Sequence, residues 1–168
     1  AIGYQALYTM EADTDGHGSN TAIGAKAGYA LTTATQCTFV GLLAGGTATV
    51  TGDNNTLIGC EAGENVTDGS NNIAIGTQAG RALGSGGSNV YIGVAAGDAN
   101  VGADNVAIGH NALGDASANV DKAIAIGTSA MAAADHANDD GCIAIGYQAL
   151  ESFTSTDANN GTVAIGYA

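Results

Sequence analysis

The segment NNIAIGTQAG, residues 71–80, recurs along the chain with few changes. Residues 105–113 read NVAIGHNAL, residues 123–131 read AIAIGTSAM and residues 142–150 read CIAIGYQAL. An Ile–Gly pair, once replaced by Val–Gly, occurs ten times at spacings of 16–21 residues, and alanine stands three residues after nine of these glycines. Such a period predicts units that stack on one another. The clearest repeat positions are Ile23, Gly24, Ala27, Ile75, Gly76, Ala79, Ile108, Gly109, Ala112, Ile126, Gly127, Ala130, Ile145, Gly146 and Ala149.

Two residues before each Ile, from Thr21 to Val163, stands Thr, Ile or Val. This alternation has the two-residue period of a β-strand, so we expect these two positions to share one face. A second apolar column, seven residues after the glycine, predicts a weaker second strand, and a polar turn rich in Gly, Asn and Asp then closes the unit. This second column comprises Met10, Leu31, Ala48, Val66, Leu83, Ala116, Ala134 and Phe153, with Asn100 as its exception.

The repeat predicts an all-β fold, a parallel β-solenoid or β-roll of about ten units of 16–21 residues. At about 4.8 Å per strand step, the rod would be roughly 45–50 Å long. Residues 1–168 then form a single repeat domain. Because both ends of the chain fall inside a unit, we expect it to be a segment of a longer fibre.

The residue before each Ile is usually alanine and points to the opposite side of the strand. A strand that is apolar on both sides is typically buried on both. We therefore expect the small alanine side to be covered by other copies of the chain, in a homotrimer with the strands around a threefold axis. The predicted interchain face comprises Ala22, Ala74, Ala107, Ala125, Ala144 and Ala164.

Asparagine precedes the strand in five units, and two interpretations remain open for it. Stacked asparagines can hydrogen-bond in amide ladders, or they can simply turn the chain. The three cysteines, Cys37, Cys60 and Cys142, form no metal motif, and we expect them to be small buried or half-buried side chains. The five asparagines are Asn20, Asn55, Asn72, Asn89 and Asn105.

The composition argues against several classes of partner. The net charge is −13 with only three Lys or Arg, whereas nucleic acids and anionic lipids need clustered cations. No apolar run reaches the length of about 18 residues that spans a membrane. We therefore predict no nucleic-acid binding and no membrane insertion.

No catalytic, cofactor or metal motif is recognisable, so we predict a protein that is not an enzyme and has no cofactor. The histidines His17, His110 and His136 are scattered, and the carboxylates do not fall into one column. The acidic turns DTDG and NDDG weakly resemble calcium loops, which need several oxygen ligands at fixed spacing, and calcium binding stays open. These turns contain Asp13, Asp15, Asp139 and Asp140.

The iterated motif N-x-A-I-G-x-x-A resembles the head repeats of trimeric autotransporter adhesins. The segments NTAIGAKAG (residues 20–28) and AIGYQAL (residues 1–7 and 144–150) resemble repeats of bacteriophage tail fibres still more closely. The resemblance covers essentially the whole chain and implies a left-handed β-roll homotrimer that serves attachment.

The function expected from this resemblance is a shaft or head segment of a phage tail fibre, located in the virion, that could contact a host surface receptor or glycan. The alternative in the same class is a trimeric adhesin on a bacterial surface. Alternatives of another class are a polysaccharide-degrading viral spike and an ice-binding solenoid. The latter would need a regular threonine ladder, and here Thr21, Thr38 and Thr56 give way to Ile and Val.

Overall fold

The computed structural model describes residues 1–10, 19–115, 119–133, 140–151 and 161–167. These residues contain no helix and nine short strands, which pair in parallel with their neighbours in chain order. The register aligns equivalent repeat positions, for example Ala74 with Tyr91 and Ile75 with Ile92. The predicted all-β chain wound as a parallel β-solenoid is thereby confirmed. The strands are β1 (Thr21–Ile23), β2 (Thr38–Val40), β3 (Thr56–Ile58), β4 (Ile73–Ile75), β5 (Val90–Ile92), β6 (Val106–Ile108), β7 (Ile124–Ile126), β8 (Ile143–Ile145) and β9 (Val163–Ile165).

The strands lie where the alternation predicts them, but their inner and outer sides are the reverse of the expectation. Ala107 is fully buried inside its own chain, whereas the neighbouring Ile108 is 37% exposed. The predicted interchain face is therefore wrong, because the opposite wall of the coil already covers the alanines. Five of the six alanines are buried in the chain's own core, and the sixth, in β9, is half-buried: Ala22, Ala74, Ala107, Ala125, Ala144 and Ala164.

The second wall of each coil consists of stacked turns in the described residues, so the predicted second strand is wrong. In the coil after β1, the Ala27 N–H donates to the Gly24 carbonyl and the Leu31 N–H donates to the Gly28 carbonyl. Lys26 and Gly28 have φ angles of 55° and 58°. Ala27 and Gly28 are both buried and Leu31 is buried three residues later, so this wall lacks the alternation of a strand.

Hydrogen bonds also join the turn walls of successive coils. The Lys26 N–H donates to the Tyr4 carbonyl at 2.8 Å, and the Gly28 N–H donates to the Ala44 carbonyl at 2.9 Å. Of the predicted second apolar column, Leu31, Val66 and Leu83 are buried. Val50, rather than Ala48, is the buried residue in the third coil. Ala116, Ala134 and Phe153 lie outside the described residues.

In six coils the core is filled by complementary pairs, one residue in the middle of a strand and the other six residues later in the turn wall. A large side chain in the strand accompanies glycine in the wall, because a Cβ on that glycine would collide with the large side chain. In three later coils an alanine in the strand accompanies Leu or Met in the wall. The pairs are Phe39–Gly45, Leu57–Gly63, Tyr91–Gly97, Ala107–Leu113, Ala125–Met131 and Ala144–Leu150. In two further coils both residues are small, Ala22–Gly28 and Ala74–Gly80, and Phe39 and Tyr91 of the adjacent coils lie against these glycines.

A buried amide ladder fixes the register of successive coils, which decides between the two interpretations of the asparagines. The Asn72 side-chain oxygen accepts the backbone N–H of Asn89 at 3.0 Å and its side-chain N–H at 3.1 Å. The Asn72 side-chain nitrogen donates in turn to the Asn55 side-chain oxygen and the Gly86 carbonyl. Asn105 continues the ladder by donating its backbone N–H to Asn89 at 2.9 Å.

The glycine that follows each strand is required by close approach of the next coil. At Gly76 the backbone has a φ of 137°, and a Cβ would collide with the carbonyl oxygen of Gly93. Both the space and the backbone conformation therefore exclude other residues there. This explains why the Ile–Gly pair persists while the polar turns vary.

Candidate interaction surface

The outward side of the sheet, here called the outer face, is a mostly apolar surface. It is formed by the first and third residues of each strand. In the middle of the sheet, Ile73, Ile75 and Ile92 are 39%, 36% and 37% exposed. The first column comprises Thr21, Thr38, Thr56, Ile73, Val90, Val106, Ile124, Ile143 and Val163. The second column comprises Ile23, Val40, Ile58, Ile75, Ile92, Ile108, Ile126, Ile145 and Ile165.

A third column, here called the margin, extends this surface around the glycine bend. It consists of the residue after each repeat glycine, and Leu42, Val94 and Tyr147 in it are 49%, 47% and 47% exposed. Neither the outer face nor the margin contains any of the chain's three Lys or Arg or its 16 Asp or Glu. The margin comprises Tyr4, Ala25, Leu42, Cys60, Thr77, Val94, His110, Thr128, Tyr147 and Tyr167.

The charged residues of the described ranges lie instead on the turn wall and in the polar turns. On the turn wall, Arg81 Nη2 donates to Asp98 Oδ2 at 3.1 Å. Arg81 Nε lies 2.8 Å from Oδ1 but is not aligned to donate to it, so that contact is ionic. Burial raises the pKa of the Asp98 carboxyl, and the charge of Arg81 offsets only part of this effect.

Acidic side chains in the polar turns cap the backbone of neighbouring coils. Asp53 Oδ1 accepts the Thr35 N–H at 2.7 Å, and Asp121 Oδ1 accepts the Ala103 N–H at 2.6 Å. Asp140 Oδ1 accepts the Asp121 N–H at 2.9 Å. These carboxylates therefore hold the coils together.

The turn wall near the N-terminal end of the sheet carries a cluster of aromatic rings. Tyr8 and Tyr29 stack with ring centroids 5.2 Å apart and planes 3° from parallel. The Lys26 ammonium lies 5.5 Å from the Tyr29 ring centroid. Tyr8 is 61% exposed. This cluster is the most aromatic part of the described turn wall.

Several residues singled out in the sequence lie apart from one another. The cysteines are free; Cys37 and Cys142 are buried and Cys60 is half-buried, as predicted. Within the described residues, no three His, Cys, Asp or Glu side chains are grouped closely enough to hold a metal ion. Five residues considered for calcium or metal binding lie outside the described residues: Asp13, Asp15, His17, His136 and Asp139.

The sequence interpretation missed the outer face because it placed the large β-branched residues inside. The signal that could have identified them as external is the pairing of strand residues with residues six positions later. Where the strand carries alanine at positions 107 or 125, Leu113 or Met131 follows and fills the interior.

No protein-family model, curated protein or solved structure matches this chain. The described residues also include no helix of the length and apolarity needed to cross a membrane. The function must therefore be inferred from the chain's own surface.

Proposed function

We propose that this chain is a shaft or head segment of a homotrimeric attachment fibre, of the kind found in bacteriophage tails. The repeating coil supplies a stiff spacer, and three copies associate through the outer face. The resemblance of the repeats to tail-fibre sequences supports this function. The observation that carries it is the long exposed surface without any charged residue.

The size of the outer face supports association with other chains. Nine three-residue strands at about 4.8 Å spacing give a footprint of about 400 Å² before the margin is counted. Contiguous apolar patches above a few hundred Å² are uncommon on monomeric proteins and mark interaction sites. The surrounding carboxylates would repel a misplaced neighbour, so the apolar surface is where two of these acidic chains can approach.

A threefold arrangement is consistent with the two adjoining parts of this surface. In a closed ring of three, each copy presents two different patches to its two neighbours. In the proposed ring, the first column of the outer face lies beside the threefold axis, where each of its residues meets the same residue of the other two copies. The second column, with Ile108, packs against the margin of a neighbour, with Val94.

The aromatic cluster supports attachment to a host surface. Exposed tyrosines bury large area at low entropic cost and are enriched in binding sites. Tyr8, Tyr29 and Lys26 lie on the turn wall, away from the outer face, so they would stay accessible in a trimer. We propose a receptor or neutral glycan as the ligand, because the net charge of −13 disfavours acidic glycans.

Sedimentation velocity of the wild type and single variants tests the assembly. We expect the mass of three chains for the wild type and of one chain for Ile108→Arg, with an unchanged circular dichroism spectrum. Gln78→Arg is the matched control, because Gln78 lies on the turn wall where its side chain bonds Glu61, and it should remain trimeric. A wild type that stays monomeric at all concentrations would refute the proposal.

The location proposed for the fibre is the virion, and the alternative is a bacterial surface. A trimeric surface adhesin would use the same outer face and the same spacer, so the assembly experiment does not separate the two. Labelling intact virions and bacterial cells with an antibody against the chain would separate them.

A further inference from the structure

The first column of the outer face changes chemistry along the sheet. In β1, β2 and β3 it carries Thr21, Thr38 and Thr56. From β4 to β9 it carries only Ile and Val. None of the three threonine hydroxyls makes a hydrogen bond to another described residue, and Thr21 is exposed while Thr38 and Thr56 are half-buried. The face therefore has a polar end and an apolar end, although its shape is uniform.

We infer that these three threonines set the direction and register in which copies of the chain associate, so that all strands of the assembly run parallel. The inference rests on the proposed self-association through the outer face. In a parallel assembly in register, threonine meets threonine, and the hydroxyls can bond each other or share water. Ile73 and the residues beyond it then meet only Ile and Val.

An antiparallel pair would place the threonines against branched alkyl side chains. Thr21 would face the level of Val163, and Thr38 and Thr56 the levels of Ile143 and Ile124. Each hydroxyl would lose its water without gaining a partner, which is unfavourable for a buried polar group. A shift by one coil would set Thr56 against Ile73 in the same way. A single polar position fixes the register of coiled coils by this principle.

The shape of the outer face cannot distinguish parallel association in register from antiparallel or shifted association. All but the threonine positions are Ile or Val in both columns, and the strands share one length and one register. Charged side chains cannot distinguish these arrangements either, because none lies on the outer face. The threonine hydroxyls are thus the feature of the outer face that distinguishes its two ends chemically.

The test measures the direction of the copies by pulsed electron paramagnetic resonance in the assembled full chain. A spin label at Ser19→Cys, in a Cys60→Ser background, marks the β1 end, because Ser19 is exposed and the other two cysteines are buried. In parallel copies all the labels lie at the same end of the assembly, so the distances between them are short. Antiparallel copies separate them by about the sheet length of roughly 38 Å, eight steps of about 4.8 Å.

Two triple variants change the threonine pattern while keeping the strands intact. The first, Thr21→Val, Thr38→Val and Thr56→Val, makes the column apolar throughout, as Val90 and Val106 already are. The second, Ile124→Thr, Ile143→Thr and Val163→Thr, adds threonine at the other end, so antiparallel copies also match. For both we expect a long-distance population comparable with the short one, whereas the wild type gives only the short distance.

The matched control is Thr32→Val, Thr47→Val and Thr51→Val, three exposed threonines outside the outer face, which should stay wholly parallel. Circular dichroism and sedimentation of the same samples verify folding and assembly. If the first triple variant assembles and remains wholly parallel, the inference is overturned while the proposed function stands. A wild type that assembles with antiparallel copies overturns the inference too. A monomeric wild type removes the assembly on which both depend.

Discussion

At the scale of single residues, the most informative position is the one directly before each strand. Five coils place asparagine there and two place cysteine, Cys37 and Cys142. Cys37 Sγ accepts the Asn55 N–H at 3.4 Å and donates to the Gly52 carbonyl at 3.5 Å. Cysteine thus takes over the accepting and donating roles of an asparagine amide with longer and weaker bonds. The sequence predicted burial of this cysteine but not its place in the ladder.

We expect Cys37→Asn to stabilise the chain, because it would join Asn20 to Asn55 in an unbroken amide ladder. The gain should be about 1 kcal/mol in the free energy of unfolding, the usual net value of one hydrogen bond. Cys37→Ala should lower it by a similar amount or more, since the Asn55 N–H would lose its partner. Urea unfolding measures both. Cys60→Ala, outside the ladder, should change little. Equal stability of Cys37→Asn and Cys37→Ala would contradict the assignment.

The stability of the chain should also depend on alkaline pH. Burial raises the pKa of the Cys37 thiol above its ordinary value of 9.0 and that of the Tyr91 phenol above 10.0. The folded state therefore favours the neutral forms. Their contribution to stability is complete below the ordinary pKa values and is lost as pH rises above about 9.

Urea unfolding at about pH 8 and about pH 10, around the ordinary thiol pKa, measures this loss. Cys37→Asn removes the thiol and should lose less free energy of unfolding between the two pH values than the wild type. Cys60→Asn is the control and should lose as much as the wild type. An identical loss in wild type and Cys37→Asn would contradict the role of the buried thiol.

At the scale of the elements, the two walls are matched in volume in six of the coils, whereas Ala22–Gly28 and Ala74–Gly80 pair two small residues. The positions of the strands could be predicted from the two-residue period, and all nine lie where that period puts them. Which of the two sides faces inward could not be predicted, because the period separates two sides of the strand without showing which one is buried. The inward side is visible in the pairing of the two walls, as where the buried Ala107 is accompanied by the buried Leu113 in the turn wall.

The second wall could not be predicted for a related reason. Left-handed residues alternate with right-handed ones there, as at Gln78 with a φ of 58° and Gly80 with a φ of 57°. Ala79 and Gly80 are consequently both buried, and Leu83 is the next buried residue. This spacing depends on the left-handed backbone, for which propensity gives no clear signal where Gln, Lys or Glu takes the left-handed position.

A double-mutant cycle at Phe39 and Gly45 tests the matching of the walls. Phe39→Ala alone should lower the free energy of unfolding by about 3–5 kcal/mol through the cavity it leaves. Gly45→Leu alone should also destabilise, because its side chain would collide with the Phe39 ring. The double variant recreates the Ala107–Leu113 pair, so we expect it to be more stable than either single variant.

Chemical denaturation of the four proteins gives the coupling energy between the two sites. Left-handed leucine is already present at Leu113, with a φ of 52°, so backbone strain does not decide the outcome. Gly45→Leu combined with Tyr91→Ala, which removes a large side chain from a different coil, is the control and should show no rescue. Additive destabilisation at residues 39 and 45 would contradict the matching.

At the scale of the whole molecule, each coil touches only its neighbours, and its acids and its apolar residues lie on separate surfaces. Sequence patterns predicted the solenoid, and the resemblance to fibre repeats led to the proposed function. They placed the interchain face on the wrong side, on the buried Ala107 and Ala144. The outer face has two chemically different ends, because Thr21, Thr38 and Thr56 are followed by Ile and Val. This difference could be interpreted only after the structure showed that the face is external.

The solenoid should tolerate the loss of one complete coil. Deleting residues 73–89 removes β4 and its turn wall and joins Asn72 to Val90, so that Asn72 takes the place of Asn89 beside Asn105. The amide ladder and the glycine column then continue unbroken. We expect the same circular dichroism spectrum, a sheet shorter by about 4.8 Å, and a free energy of unfolding lower by roughly the contribution of one coil and its interface.

Small-angle scattering and urea unfolding measure these two changes. Deleting residues 73–81 is the control; it removes fewer residues but takes away β4 and the first half of its turn wall, leaving the remaining half without a strand to cover it. We expect this shorter deletion to be the more damaging one, because exposed core residues such as Leu83 would lose their packing against the strand side. If the complete-coil deletion unfolds the chain while the half-coil deletion is tolerated, stability does not reside in the stacking of matched walls.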